Sequence, residues 1–169
     1  CYSLTKAPEL PATTLTSQCY CQMFYNCTSL KDIPAKLFEK CPNVNSVRFT
    51  FAYCAITSIP SCIFDNNRRI TDFAGTFYGC WNSSGESPFT VIDGVKYHLY
   101  ERYLCIDQFV RPESYEQCFS QGNYTDAEEI KKACIENGVK ISIGFLMRFH
   151  GYHQRIKEII AEGKIGDIV

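Results

Sequence analysis

The chain has 169 residues, room for one ordinary domain or one domain with a fragment attached. Apolar residues make up 46% and charged residues 21%, the balance of a folded globular chain rather than a disordered one. Seventeen basic against 18 acidic residues leave a net charge of −1, which argues against a nucleic-acid surface, a polybasic membrane patch or an acidic tail.

In chain order the first residue is Cys1, and no charged-then-apolar leader follows, so the sequence reads as a processed chain or a piece of a longer one. A repeat comes next. Cys1, Cys27, Cys54 and Cys80 lie 26, 27 and 26 residues apart. Phe24, Phe51 and Phe77 each stand three residues ahead of a cysteine. Leu4 and Pro8, then Leu30, Ile33 and Pro34, then Ile56, Ile59 and Pro60 follow the cysteines in register, with later apolar positions at Leu15, Leu37, Phe38, Ile63 and Phe64. A unit this small cannot bury its own apolar face, so units must stack around a shared core. The period therefore predicts a solenoid over residues 1–83, with a short strand from each cysteine to its proline. Proline at the strand end stops the ladder without losing a needed donor. The return segments 16–25 and 66–78 are expected to carry a helical turn or two.

Eleven cysteines invite a disulfide framework or a metal site. Register favours a structural ladder of buried thiols, Cys1, Cys27, Cys54 and Cys80, because free cysteine is among the most buried residue types. Metal sites want facing pairs of close ligands, and Cys19-x-Cys21 has no second pair near it. Stacked coils would still bring equivalent cysteines within bridging range, so disulfides stay open beside thiols. The strand pattern points Lys31, Asp32, Thr57 and Ser58 outward, as a candidate binding face.

Residues 1–15, Cys-Tyr-Ser-Leu-Thr-Lys-Ala-Pro-Glu-Leu-Pro-Ala-Thr-Thr-Leu, and residues 23–30, Met-Phe-Tyr-Asn-Cys-Thr-Ser-Leu, resemble the BspA-like leucine-rich-repeat surface proteins of bacteria. The resemblance covers about residues 1–122. It implies a leucine-rich-repeat solenoid on a secreted or surface-anchored protein, whose array binds other proteins or host surfaces. It implies no catalytic residue and no cofactor.

Residues 84–124 are read as a hairpin-containing cap on the open end of the solenoid. Asp93-Gly94 between two runs of β-formers marks a hairpin within residues 88–103, because both central positions of the favoured turn need φ > 0. His98, in its second strand, is read as a surface side chain rather than a ligand or base. The Asn-x-Ser/Thr sequences at Asn26, Asn82 and Asn123 are what a chain rich in these residues yields by chance.

From Thr125 the composition changes. Ten of the 11 cysteines and 21 of the 24 aromatic residues precede it, while the last 45 residues hold seven basic and seven acidic residues. Thr125-x-x-Glu128 is a capping box, and Ala127, Ile130, Ala133 and Cys134 recur at helical spacing up to Asn137-Gly138. Residues 139–145 alternate as a strand, and Ile156, Ile159 and Ile160 share a helical face over 152–162. Helix, strand, helix predicts an α/β fragment over residues 125–169.

Residues 126–140, 143–149 and 159–166 resemble part of the glucose–fructose oxidoreductase and inositol dehydrogenase family. Those enzymes pass a hydride between a nicotinamide cofactor and a sugar or cyclitol hydroxyl, and the resemblance implies a cytoplasmic origin for this segment. The sequence contains no Gly-x-Gly-x-x-Gly turn to hold a pyrophosphate. The lysine that the family carries upstream of the capping-box helix is replaced by Ser120-Gln-Gly-Asn-Tyr-Thr125. His150 and His153 match no catalytic motif, and Arg148 and His153 are read as solvated or loop-packing side chains. The expectation is a non-catalytic surface repeat protein with no cofactor. The join near residue 124 lacks a flexible linker, as expected of two incomplete coding regions brought together or of an abrupt fusion.

Overall fold

The computed structural model describes residues 1–14 and 18–136 of the chain. The strand expected at 139–145, the helix at 152–162, and Leu15, Arg148, His150 and His153 lie outside the described residues.

Alternate amides along one face of the chain serve two purposes. The N–H groups of Gln22, Phe24 and Asn26 donate to the carbonyls of Arg48, Thr50 and Ala52 at 3.0, 2.9 and 2.8 Å. Val47, Phe49, Phe51 and Tyr53 donate in the same way to Asp72, Ala74, Thr76 and Tyr78, and Phe73, Gly75, Phe77 and Gly79 to Ser114, Glu116, Cys118 and Ser120. The amides between them turn back three residues, as in Met23 to Tyr20, Cys27 to Phe24 and Cys54 to Phe51. Four segments, 18–27, 45–54, 71–80 and 113–122, are thus laid side by side in parallel. Among the described residues of the return segments, the expected helical turns are replaced by this zigzag of three-residue turns. A helix would draw every amide into its own ladder, whereas here half of them reach the next segment.

This zigzag sets the backbone. The third residue of alternate four-residue turns has positive φ, at Gln22 and Asn26, Phe49 and Tyr53, Gly75 and Gly79, and Gln117 and Gln121. Glycine suits that place, and each other residue type there carries a strain of about 1 kcal/mol or more. The inter-segment bonds hold it.

Inward-pointing residues form columns. Phe24, Phe51, Phe77 and Phe119 stack face to face with centroids 5.5, 5.6 and 6.0 Å apart. Thr50 and Thr76 each donate a hydroxyl to a carbonyl three residues back, of Val47 and of Phe73, at 2.7 Å. Cys27, Cys54 and Cys80 are buried, while Cys1, at the open end of that column, is exposed. The Cys54 thiol donates to the Phe24 carbonyl and the Cys80 thiol to that of Phe51, both at 3.1 Å. The ten cysteines from Cys1 to Cys118 carry free thiols.

On the far side, one isolated parallel bridge, between Lys6 and Asp32, stands in place of the expected strands. Residues 60–67 make tight turns, and Asn67 donates its side-chain amide to the carbonyls of Phe38 and Cys41 at 3.1 and 2.7 Å. The hairpin β2 (Phe89–Ile92) and β3 (Val95–His98) turns at Asp93 and Gly94, with φ of 50° and 80°. It stands beside residues 61–68, through Phe89 N–H to the Ser61 carbonyl and the Thr90 hydroxyl to Asp65. A 3₁₀ helix, Leu99–Leu104, follows. From it, the fully buried Arg102 donates to the carbonyls of Asn67 and Phe64 at 2.9 Å, one repeat on from the bonds of Asn67. Burial lowers its guanidinium pKa to about 10.

Within residues 84–124, expected as a cap, residues 113–122 therefore form the fourth stacked segment, and the hairpin is an excursion ahead of it. Short parallel strands β1 (Ser84–Gly85) and β4 (Asn123–Tyr124) close this part. Helix α1 (Ala127–Glu136) begins just beyond Asp126 and buries Ile130 completely, in the same apolar core as the stacked segments.

Two outcomes are expected. A Cβ at Gly75 would lie 2.1 Å from the Phe49 ring, at φ +58°. Gly75→Ala should lower stability in urea unfolding by about 2–4 kcal/mol, and adding Phe49→Ala should relieve the clash but not the backbone strain. Burial raises the Cys54 and Cys80 thiols from 9.0 to about 12. Folding thus favours their protonated forms, a contribution present below pH 9 and lost as pH climbs toward 12. Disulfide-exchange reagents should leave both unmodified in native protein and label both in urea.

Candidate interaction surface

The Phe-x-x-Cys motif shapes an outer face as well as the core. Its two middle residues are Tyr25-Asn26, Ala52-Tyr53 and Tyr78-Gly79 in successive segments. Each pair holds one tyrosine and one smaller residue. Tyr53 stands edge-on to Tyr25 at 5.6 Å and to Tyr78 at 5.1 Å, with interplanar angles of 83° and 82°. Phe49 meets Tyr78 at 6.4 Å, and Arg48 lies over the Phe49 ring at 5.2 Å. The rings fit because Gly75 and Gly79 form the floor: a Cβ at Gly79 would come within 2.7 Å of the Tyr53 ring. Tyr25 is 44% exposed and Met23 45% exposed, and the other rings are half-buried. Interaction with the neighbouring Tyr78 phenol is the main reason the Tyr53 phenol is pushed up to about 12. The rings therefore form one braced stripe across three segments.

Lys31, Asp32, Thr57 and Ser58 are all exposed. Asp32 lies beside Lys6, and the Thr57 carbonyl accepts the Ser84 N–H at 3.1 Å, so each pair sits at a junction between neighbouring coils. The pattern placed these four residues on one register, and the stripe lies on a different one. The stripe was missed because Phe-x-x-Cys was read for its ends. Its signal was the aromatic in the x positions.

A groove of 260 Å³ lies over Leu10 and Leu37, rimmed by the exposed Lys36–Glu39 ion pair. Its size falls below that of ordinary ligand cavities.

A buried polar cluster ties the hairpin to the start of α1. Asp126 accepts the Ser87 N–H at 3.0 Å, the Tyr100 hydroxyl at 2.9 Å and the Ser87 hydroxyl. His98 places Nδ1 2.9 Å from the Ser87 Oγ and 3.3 Å from Asp126, and its Nε2 3.4 Å from Glu86. Its ring stacks on Tyr100 at 5.1 Å. His98, expected at the surface, is 8% exposed, because Pro88 and Phe89 fold Ser87 back against it. Serine, histidine and aspartate meet here, but the serine hydroxyl is fully buried and bonded to the carboxylate. That arrangement fastens backbone rather than presenting a nucleophile.

Among the described residues, no group of three His, Cys, Asp or Glu side chains is placed to hold a metal ion. No described helix is long and apolar enough to cross a membrane. No family model, curated protein or solved structure matches the chain.

Removing the Asp126 carboxylate leaves the Ser87 amide and the Tyr100 hydroxyl without their acceptor. Asp126→Ala should speed hydrogen exchange at Ser87 by at least about tenfold. Exchange at Phe51, inside the stack, should change far less.

Proposed function

We propose that residues 1–124 form a leucine-rich-repeat binding module, similar to the BspA-like surface proteins, that acts outside the cell on a protein or cell-surface ligand. It binds without catalysing a reaction. The observation that carries this reading is the braced, partly exposed aromatic stripe of Tyr25, Tyr53 and Tyr78. Tyrosine offers a large amphipathic contact at low entropic cost, and ring contacts already restrict these side chains before any ligand arrives. The in-register stacking of four segments supports the repeat assignment, since each segment completes its backbone bonding through a neighbour. The use of Ser87, His98 and Asp126 in fastening the hairpin supports a structural role for the chemistry-bearing cluster.

A second reading rests on the resemblance of residues 126–166 to the sugar and cyclitol oxidoreductases. In it, this segment derives from such an enzyme and is inactive in the present chain.

Labelled full-length chain, incubated with intact cells and with immobilised extracellular proteins, should bind saturably and be displaced by unlabelled chain. Titration with nicotinamide dinucleotide should leave its thermal unfolding unchanged. Failure to bind any of these surfaces would overturn the module reading, and a saturable shift with the dinucleotide would favour the second.

A further inference from the structure

Building on the reading of the chain as a binding module, we propose that the Tyr25–Tyr53–Tyr78 stripe is a site for a neutral oligosaccharide, whose sugar rings stack on Tyr25 and Tyr78.

Backbone chemistry narrows the ligand first. Under the stripe, the amides of Gln22, Phe24 and Asn26, of Phe49, Phe51 and Tyr53, and of Gly75, Phe77 and Gly79 all donate to the adjoining segment. An extended peptide that docks by adding a strand needs such groups unbonded, and here they are committed. What remains at the surface is ring area and phenolic oxygen. That combination suits a partner offering C–H faces to the negative face of an aromatic ring and hydroxyls to its polar tip. Sugar rings have both.

Charge narrows it further. Arg48, at the edge of the stripe, lies over Phe49 and 3.9 Å from Asp72. Glu116 accepts from Gly75 as Ala74 accepts from Phe49, so it continues the register of Arg48 with the opposite sign. A polyanion such as a sulfated glycan or a nucleic acid would meet a balanced surface with no cluster of cations to neutralise it.

Spacing supplies the third argument. Tyr25 and Tyr78 hold the same place in the motif two segments apart, about 10 Å at ordinary strand spacing. Both rings stand nearly perpendicular to Tyr53, which lies between them on its glycine floor. Two aromatic faces separated by one divider match alternate units of a linear sugar chain. Its edge-on contacts with Tyr25 and Tyr78, at 5.6 and 5.1 Å, restrain the divider.

Calorimetric titration of the full chain with neutral gluco-, manno- and galacto-configured hexasaccharides tests the site. At least one should bind saturably, with affinity nearly independent of salt. Tyr25→Ala removes a ring that is 44% exposed and should weaken that binding about tenfold, with only a small fall in the unfolding temperature for its lost contact with Tyr53. Val91→Ser, on the exposed hairpin face, should leave affinity unchanged. The proposal is overturned if no hexasaccharide binds, if Tyr25→Ala binds as tightly as the parent, or if only a sulfated hexasaccharide binds and salt abolishes it. A proline-rich peptide that binds in a Tyr25-dependent way, where the hexasaccharides do not, would reassign the stripe to protein recognition. Saturable binding to cells with no hexasaccharide binding would sink the sugar site and leave the module reading standing. Loss of both would remove both.

Discussion

The structure depends on amides shared between segments. Because Phe24, Phe51 and Phe77 each donate to the following segment at the same point of the motif, a slip of one residue would break every bond of that row at once. Columns of like residues follow from this fixed register. The phenylalanines stack, the threonines secure carbonyls three residues back, and the cysteine thiols reach the carbonyl of a phenylalanine in the preceding segment. The column ends where space runs out. Gly122 takes the place of the next cysteine because a Cβ there would lie 2.3 Å from the Tyr124 ring and 2.7 Å from the Ser83 oxygen.

The same register governs the outer face. Two residues separate each phenylalanine from its cysteine, and the second takes positive φ at Asn26, Tyr53 and Gly79. A tyrosine in that strained place is tolerated only if its ring has somewhere to lie, and Gly79 of the next segment supplies the room. Large beside small, from one segment to the next, lets Tyr53 fit between Tyr25 and Tyr78. Core and surface are therefore coupled: a bulkier residue at Gly79 disturbs the stripe and the backbone together.

How much of this was legible in the sequence depends on the spacing of the signal. The recurrence of Phe-x-x-Cys showed where the inward columns run, and Asp93-Gly94 marked the hairpin turn, since both are short-range patterns with a single geometric solution. The left-handed residues were not legible, because Gln22, Phe49 and Gln117 carry no preference for positive φ and adopt it under the pull of neighbouring segments. The fourth segment was hidden for a different reason. The hairpin excursion stretches its spacing from 26 residues to 42, from Phe77 to Phe119, and glycine stands where the cysteine would be. Arg102 was hidden too. It supplies from a 3₁₀ helix the two donors that Asn67 supplies one repeat earlier, a substitution of function without likeness of sequence.

Composition changes at Thr125, but the packing continues across it. Asp126 lies beyond that point, and its carboxylate is the acceptor for the Ser87 amide and the Ser87 and Tyr100 hydroxyls of the preceding part. Ile130 is fully buried in the same core as Phe77 and Phe119. Buried donors without an acceptor each cost about 1–3 kcal/mol, so a chain cut at residue 124 would orphan several at once. Residues 120–126, around that change, hold four buried positions in Ser120, Gly122, Tyr124 and Asp126. The hairpin, the fourth segment and the start of α1 are therefore packed together through this cluster and the shared core. The residue that joins them is an aspartate placed by the C-terminal part and required by the N-terminal one.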